Sequence, residues 1–198
     1  MLYKIAHFIK DRCSFLWDIV EWGSAELFSL FYKSKLKEIP TLLKKHSTHF
    51  VIRETSILDL KELVTFFKEQ PSEAFTFFKP HNFDEKSLEK VIKNKAFLTY
   101  IVMDGNKIVS YFFLRSFVNG KCFRGRMVCQ SMQGKGLGKL TSRVMGEIAI
   151  HLGLRMFCSI SPDNYASMNS AKATNEIKII KILENGYYYI ECTPKTTN

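Results

Sequence analysis

Apolar positions recur along this chain with two periods, and the switch between them marks out its elements. In residues 2–43, Leu2, Ile5, Ile9, Leu16 and Val20 return near the helical period, with Trp17, Trp22, Phe28 and Phe31 nearby. The pattern predicts two helices separated at Gly23-Ser24. Lys4, Lys10 and Arg12 sit among the apolar residues of the first. An amphipathic helix of this kind packs on its own domain, lies on a membrane surface or covers another subunit. Residues 50–53 read as a short strand. Residues 58–67 read as a helix, with Leu60, Leu63, Val64 and Phe67 on one face. Pro71 and Pro80 bracket an aromatic loop, and Asp84 caps a helix over 85–95.

Strand patterning then takes over. Residues 96–103 and 107–115 are joined by Asp104-Gly105-Asn106, and Asn119-Gly120 turns the chain into 122–129. A glycine-rich turn leads into a helix over 137–152, which Gly153 ends. Residues 156–160 form a short strand, Asn164 opens another helix, and strands over 177–183 and 187–192 flank Glu184-Asn185-Gly186. This order predicts an α/β (α+β) domain, a mixed sheet with helices on both faces, over residues 48–198. Residues 1–47 precede it as a helical extension.

Composition narrows the classes. Apolar residues make up 46% of the 198 and charged residues 24%, an ordinary globular balance. Lysine and arginine number 29 against 19 acidic residues, a net charge of +10 that favours an anionic partner. The chain carries no recognised nucleic-acid motif, so nucleic acid is not expected as a partner. Five cysteines without a C-x-x-C pair argue against a disulfide framework or zinc site and suit a reducing cytoplasm. Charges interrupt the N-terminal apolar run before it reaches the length of a signal peptide or membrane span. No metal is expected.

The strongest chemical signal is Gln133-Gly134-Lys135-Gly136-Leu137-Gly138-Lys139, between a strand and a helix. A helix start exposes unpaired amides with partial positive charge, and glycines let phosphate approach the backbone. The Walker pattern fails because Gln133 and Leu140 stand where glycine and Ser or Thr are needed. The dinucleotide pattern fails at Lys139 and Thr141. What remains is Q-x-x-G-x-G.

From Val128 through Lys139 the chain resembles the acyl-CoA signature of the GCN5-related N-acetyltransferases, and the element order from His49 to Cys192 is similar to theirs. The resemblance implies acetyl-CoA as co-substrate and direct acetyl transfer to a primary amine of a small acceptor. Gln133 and the backbone amides of Gly134, Lys135, Gly136, Leu137, Gly138 and Lys139 would hold the pyrophosphate. Met127, Val128 and Cys129 would pair with the pantetheine arm like an added strand. An amide there would stabilise the developing oxyanion. Asn164 and Ser167 match the family's Asn-x-x-Ser/Ala, near the CoA arm, though the same spacing also makes an ordinary helix cap.

Two features depart from the family. Ala171 stands where many members carry an acidic tyrosine, and Ala173-Thr174-Asn175 replaces the usual Gly-Phe. Tyr165 is the substitute candidate for the acid. His81 is the candidate base, since an amine must be neutral to attack. Arg124, Arg126 and Arg115 are candidates for an anionic acceptor. The segment Phe77-Phe78-Lys79-Pro80-His81 resembles members that modify surface-polysaccharide sugars, and with Arg124 and Arg126 it makes an amino sugar, nucleotide-linked or free, the expected acceptor. A non-catalytic CoA-binding module and an enzyme for peptide amines are the alternatives. A homodimer and peripheral attachment at the inner membrane face through residues 1–45 stay open.

Overall fold

The computed structural model describes residues 14–195, with side chains described from Val20 onward. The periodic positions before residue 14 lie outside it. Helix α1 spans Ser14–Phe31, α2 Lys33–Leu36 and α3 Ile39–His46. Strand β1 spans Val51–Glu54, and α4 Leu60–Lys68 and α5 Glu85–Lys93 follow. Strands β2 (Phe97–Asp104), β3 (Lys107–Phe117) and β4 (Lys121–Val128) form an antiparallel meander. Helix α6 (Leu137–Leu152), β5 (Arg155–Ile160), α7 (Tyr165–Thr174), β6 (Asn175–Ile182) and β7 (Tyr188–Pro194) complete the chain.

The expected break at Gly23 does not occur. Helix α1 runs through it, and the helical run is interrupted instead at Tyr32 and again before α3, where Pro40 lies in the first turn. A lone helical glycine costs about 1 kcal/mol relative to alanine, and burial of Ala25 and Phe28 offsets it.

Seven strands form one mixed sheet in the order β1-β2-β3-β4-β5-β7-β6. Pairing is antiparallel throughout except between β4 and β5. On β3 the pleat divides the core into two. Phe112 and Leu114 join a cluster with Tyr100, Val144, Ile148, Phe28, Ile39 and Leu43. Tyr111 and Phe113 join another with Leu63, Phe67 and Leu88 under α4 and α5. Helices α1, α3, α6 and α7 thus supply buried side chains to the first cluster, and α4 and α5 to the second. Strand β6 starts directly after α7. The Asn175 side chain explains this, because it donates to the carbonyl of Ala171 and to the hydroxyls of Ser142 and Thr174.

The one parallel pairing sets up the site. Strands β4 and β5 pair only through Lys121–Arg155, Cys122–Met156 and Phe123–Phe157. Residues 124–128 of β4 stay paired to β3, and 158–160 of β5 to β7. The two middle strands therefore part, and a gap opens toward the C-terminal end of β4.

Candidate acyl-donor site

The gap leads to the glycine turn. The amide of Cys129 donates to the carbonyl of Val109, so β4 stays tied to β3 up to the turn. A short 3-10 turn, Gln130–Met132, follows. Gly134 and Gly136 then take φ values of 76° and 86°, in the left-handed region. A side chain at either position would meet open space. The backbone geometry, not crowding, requires glycine there.

The Gly136 carbonyl accepts from the amides of Lys139 and Leu140, and that of Met132 from Lys135. The amides of Gly134, Gly136, Leu137 and Gly138 make no backbone bond among the described residues. They lie together at the head of the sixteen-residue helix α6, where the peptide dipoles favour an anion. The side chains of Gln133, Lys135 and Lys139 are exposed around the turn, whereas Leu137 is buried and anchors the helix start. This arrangement can hold a diphosphate with its linear tail running into the gap.

The other expected donor-site residues fall nearby in varied ways. Met127 is buried in the α4/α5 cluster, and its carbonyl accepts from the Ser110 hydroxyl at 2.7 Å. Val128 and Cys129 are half-buried at the edge of the gap. The Asn164 side chain accepts from the Ser167 amide at 3.0 Å, which makes it a helix N-cap for α7.

The candidate acid, base and arginines are not brought together. Tyr165 is 72% exposed and lines an apolar groove of about 500 Å3 with Met168, Ile177, Ile179 and Ile182. On α7 it faces away from Ser170, which approaches the turn at Gly138. Ala171 is fully buried. His81 and Arg115 share a cleft of about 400 Å3 between α1, α5 and the loop before α5, on the α4/α5 side. Arg115 is paired there with Glu21 at 3.1 Å. Arg124 and Arg126 lie on the opposite face of β4, toward α6 and α7.

His81 has both ring nitrogens engaged. Nδ1 lies 2.8 Å from the Asn82 carbonyl, which accepts only, so Nδ1 carries the proton and Nε2 accepts from the Tyr111 hydroxyl at 3.1 Å. Phe67, Phe83, Phe97 and Phe113 surround the ring. Burial lowers the imidazole pKa below its usual value, against the raising effect of the Asn82 bond. Burial likewise raises that of the Tyr111 phenol, which stays a neutral donor. Tyr111 stands directly across from Met127 in the β3–β4 register and is fully buried in the α4/α5 cluster. Sequence reading missed Tyr111, which looks like one more apolar residue in the run Tyr111-Phe112-Phe113.

No protein-family model matches the chain, and no curated protein matches it in sequence. Solved structures do match in shape. The GNAT domain of PAT from S. lividans superposes with a TM-score of 0.62 at 15% identity, covering 71% of this chain and 88% of that one. The PaiA N-acetyltransferase of Thermoplasma acidophilum, solved with coenzyme A, gives 0.62 at 14% identity, covering 75% and 100%. The AAC(6')-Ib structure with paromomycin and acetyl-CoA gives 0.60 at 15% identity, covering 75% and 94%. With its parted middle strands and its glycine turn at a helix head, the chain has the fold of the GCN5-related N-acetyltransferases.

Proposed function

We propose that this protein is an acetyl-CoA-dependent N-acetyltransferase that transfers acetyl directly to a primary amine of a small acceptor. The observation that carries the reading is the set of four free amides at the head of α6, beside a strand whose far edge is open. Each hydrogen bond from such an amide to a charged phosphate is worth about 1.5–3 kcal/mol. The pantetheine arm would add along β4 as a further strand, which brings the thioester to the level of Arg126 and Met127. An amide from that strand then stabilises the oxyanion as the amine attacks. The amine must be neutral at that moment. His81, whose Nε2 accepts from the Tyr111 hydroxyl, is the group proposed to take its proton. With Ala171 at the family's tyrosine position, the thiolate leaves without that acid.

The acceptor proposed is an amino sugar, nucleotide-linked or free, entering by the cleft that holds His81, Glu21 and Arg115. The structural likeness to an aminoglycoside acetyltransferase solved with coenzyme A and kanamycin supports an amino-sugar amine. The test is CoA release from acetyl-CoA against nucleotide amino sugars, aminoglycosides, polyamines and peptide amines. Turnover with amino sugars, abolished by Gly136→Glu, is expected. Turnover with peptide amines alone would remove the sugar acceptor. CoA binding by calorimetry without turnover on any amine would leave a binding module in place of an enzyme.

A further inference from the structure

Strand β4 turns Cys122, Arg124, Arg126 and Val128 toward α6 and α7, and places two guanidinium groups where a core is expected. Arg124 is buried and donates to the Ser142 hydroxyl at 2.9 Å, which also bonds to Thr174 and Asn175. It is accounted for. Arg126 is not: it makes no hydrogen bond or ion pair with any described residue. Burial brings its pKa down to about 10, with Arg124 pushing the same way.

The Arg126 head group lies beside Gly138. A Cβ atom built on Gly138 would lie 3.8 Å from Nε and 3.9 Å from Nη2. The same atom would lie 3.3 Å from the hydroxyl of Ser170, which is buried without a hydrogen-bond partner. An orphan cation and an orphan hydroxyl thus converge under the first turn of α6, on the sheet side of its free amides. No carboxylate pairs with Arg124 or Arg126 among the described residues. The titratable groups facing them from β5 and β7 are the thiols of Cys158 and Cys192. The Cys192 contact and the two arginines hold the Cys158 thiol below the usual range. Neither thiol supplies the carboxylate or phosphate that would pair with a second guanidinium.

A part-buried guanidinium without a partner is costly. Its cost is recovered only when an anion arrives, and a guanidinium in such a place meets phosphate or carboxylate through paired N–H donors. We propose that Arg126 is a further binding residue of the acyl-CoA site, and that its guanidinium closes the diphosphate pocket from the sheet side, opposite the turn amides. This rests on the acyl-CoA reading above.

Calorimetry and competition binding with coenzyme A and with acetyl-pantetheine, which lacks the diphosphate, provide the test. In Arg126→Met, CoA affinity should fall about 10- to 100-fold, the range for a charged hydrogen-bond pair. Acetyl-pantetheine affinity should change by less than about twofold, because that ligand has no diphosphate to lose. Arg126→Lys should fall between. The ligand-free melting temperature of Arg126→Met should be unchanged or higher, since an unpaired charge has been removed. An equal loss for both ligands, or no loss for either, would overturn the proposal. So would a loss confined to succinyl-CoA, because the guanidinium would then read a carboxylate on the acyl group. If the unmodified protein binds no CoA at all, it is the acyl-CoA reading that fails.

Discussion

His81 shows what a single position does when its neighbours come from distant parts of the chain. Its ring is neutral because aromatic side chains remove water from it, and because Nδ1–H and Nε2 each already have a partner. A folded-state pKa below the unfolded value means the unfolded chain binds more protons over the interval between the two. The stability linked to His81 is therefore complete above about pH 6.5 and is lost as pH falls through the folded-state value. At pH 7.5, His81→Phe should cost about 1–3 kcal/mol, because the Tyr111 hydroxyl is left buried without its acceptor. At pH 5 the difference between the two proteins should shrink, since only the parent must then protonate or expel its imidazole. Denaturant melts at the two pH values read this directly, and a constant difference would contradict the buried neutral tautomer. The position was visible in the sequence as a histidine in a loop, but its role was not. The partner that defines it lies thirty residues away. Arg124 and Arg126 were legible for a related reason only as charge. A strand reading Cys-Phe-Arg-Gly-Arg-Met looks half solvated, and nothing local says that the arginine face is the one α6 covers.

At the level of elements, local chemistry carried most of the plan. Asp104-Gly105-Asn106, Asn119-Gly120 and Asn185-Gly186 all mark turns between paired strands, and α6 begins and ends on glycines as the sequence predicts. Gly23 misled because glycine is a weak helix breaker when tertiary contacts hold both sides. Gly125 is different, and its reason lies entirely in packing. A Cβ atom there would lie 2.5 Å from Cε1 and Cζ of Phe113 and 3.3 Å from Phe78. The bare backbone lets the Phe113 ring sit close against β4, opposite the face that carries Arg124 and Arg126. Gly125→Ala should cost about 1–3 kcal/mol by overpacking. Phe113→Leu removes the ring edge that the new methyl group strikes, so the double variant should be more stable than the sum of the two single effects. Chemical denaturation of all four proteins measures that coupling. Additive effects would mean that the ring is not what excludes a side chain at 125.

The whole molecule depends on whether the first helices are an appendage or part of the core. Residues 1–47 read as an extension because their helical pattern ends before the first strand. The buried positions within residues 20–47 tie that part more closely. Phe28 is fully buried and stacks on Tyr32 with ring centroids 4.5 Å apart. Ala25, Ile39 and Leu43 share a cluster with Tyr100, Phe112 and Ile148. His46 bonds to Glu147 on α6, and Lys95 pairs with Glu26 on α1. At the same time α1 leaves Val20, Leu27, Leu30 and Phe31 exposed, so its apolar pattern serves two surfaces, and periodicity alone could not separate them. Phe28→Ala should cost about 3–5 kcal/mol, as truncation of a buried aromatic does. More diagnostic is how that cost is distributed. Both tryptophans, Trp17 and Trp22, lie on α1, so their fluorescence follows that helix while far-ultraviolet dichroism follows the whole fold. If α1 completes the core that α6 and the sheet share, the two signals should melt together in the parent protein and shift down together in Phe28→Ala. An appendage would give an early fluorescence transition and leave the main dichroism transition where it was. The same measurement bears on the donor site, because α6 carries the free amides at its head and packs, through Val144, Met145 and Ile148, in the cluster that Phe28 fills. Loosening Phe28 should therefore weaken CoA binding at temperatures just below the transition.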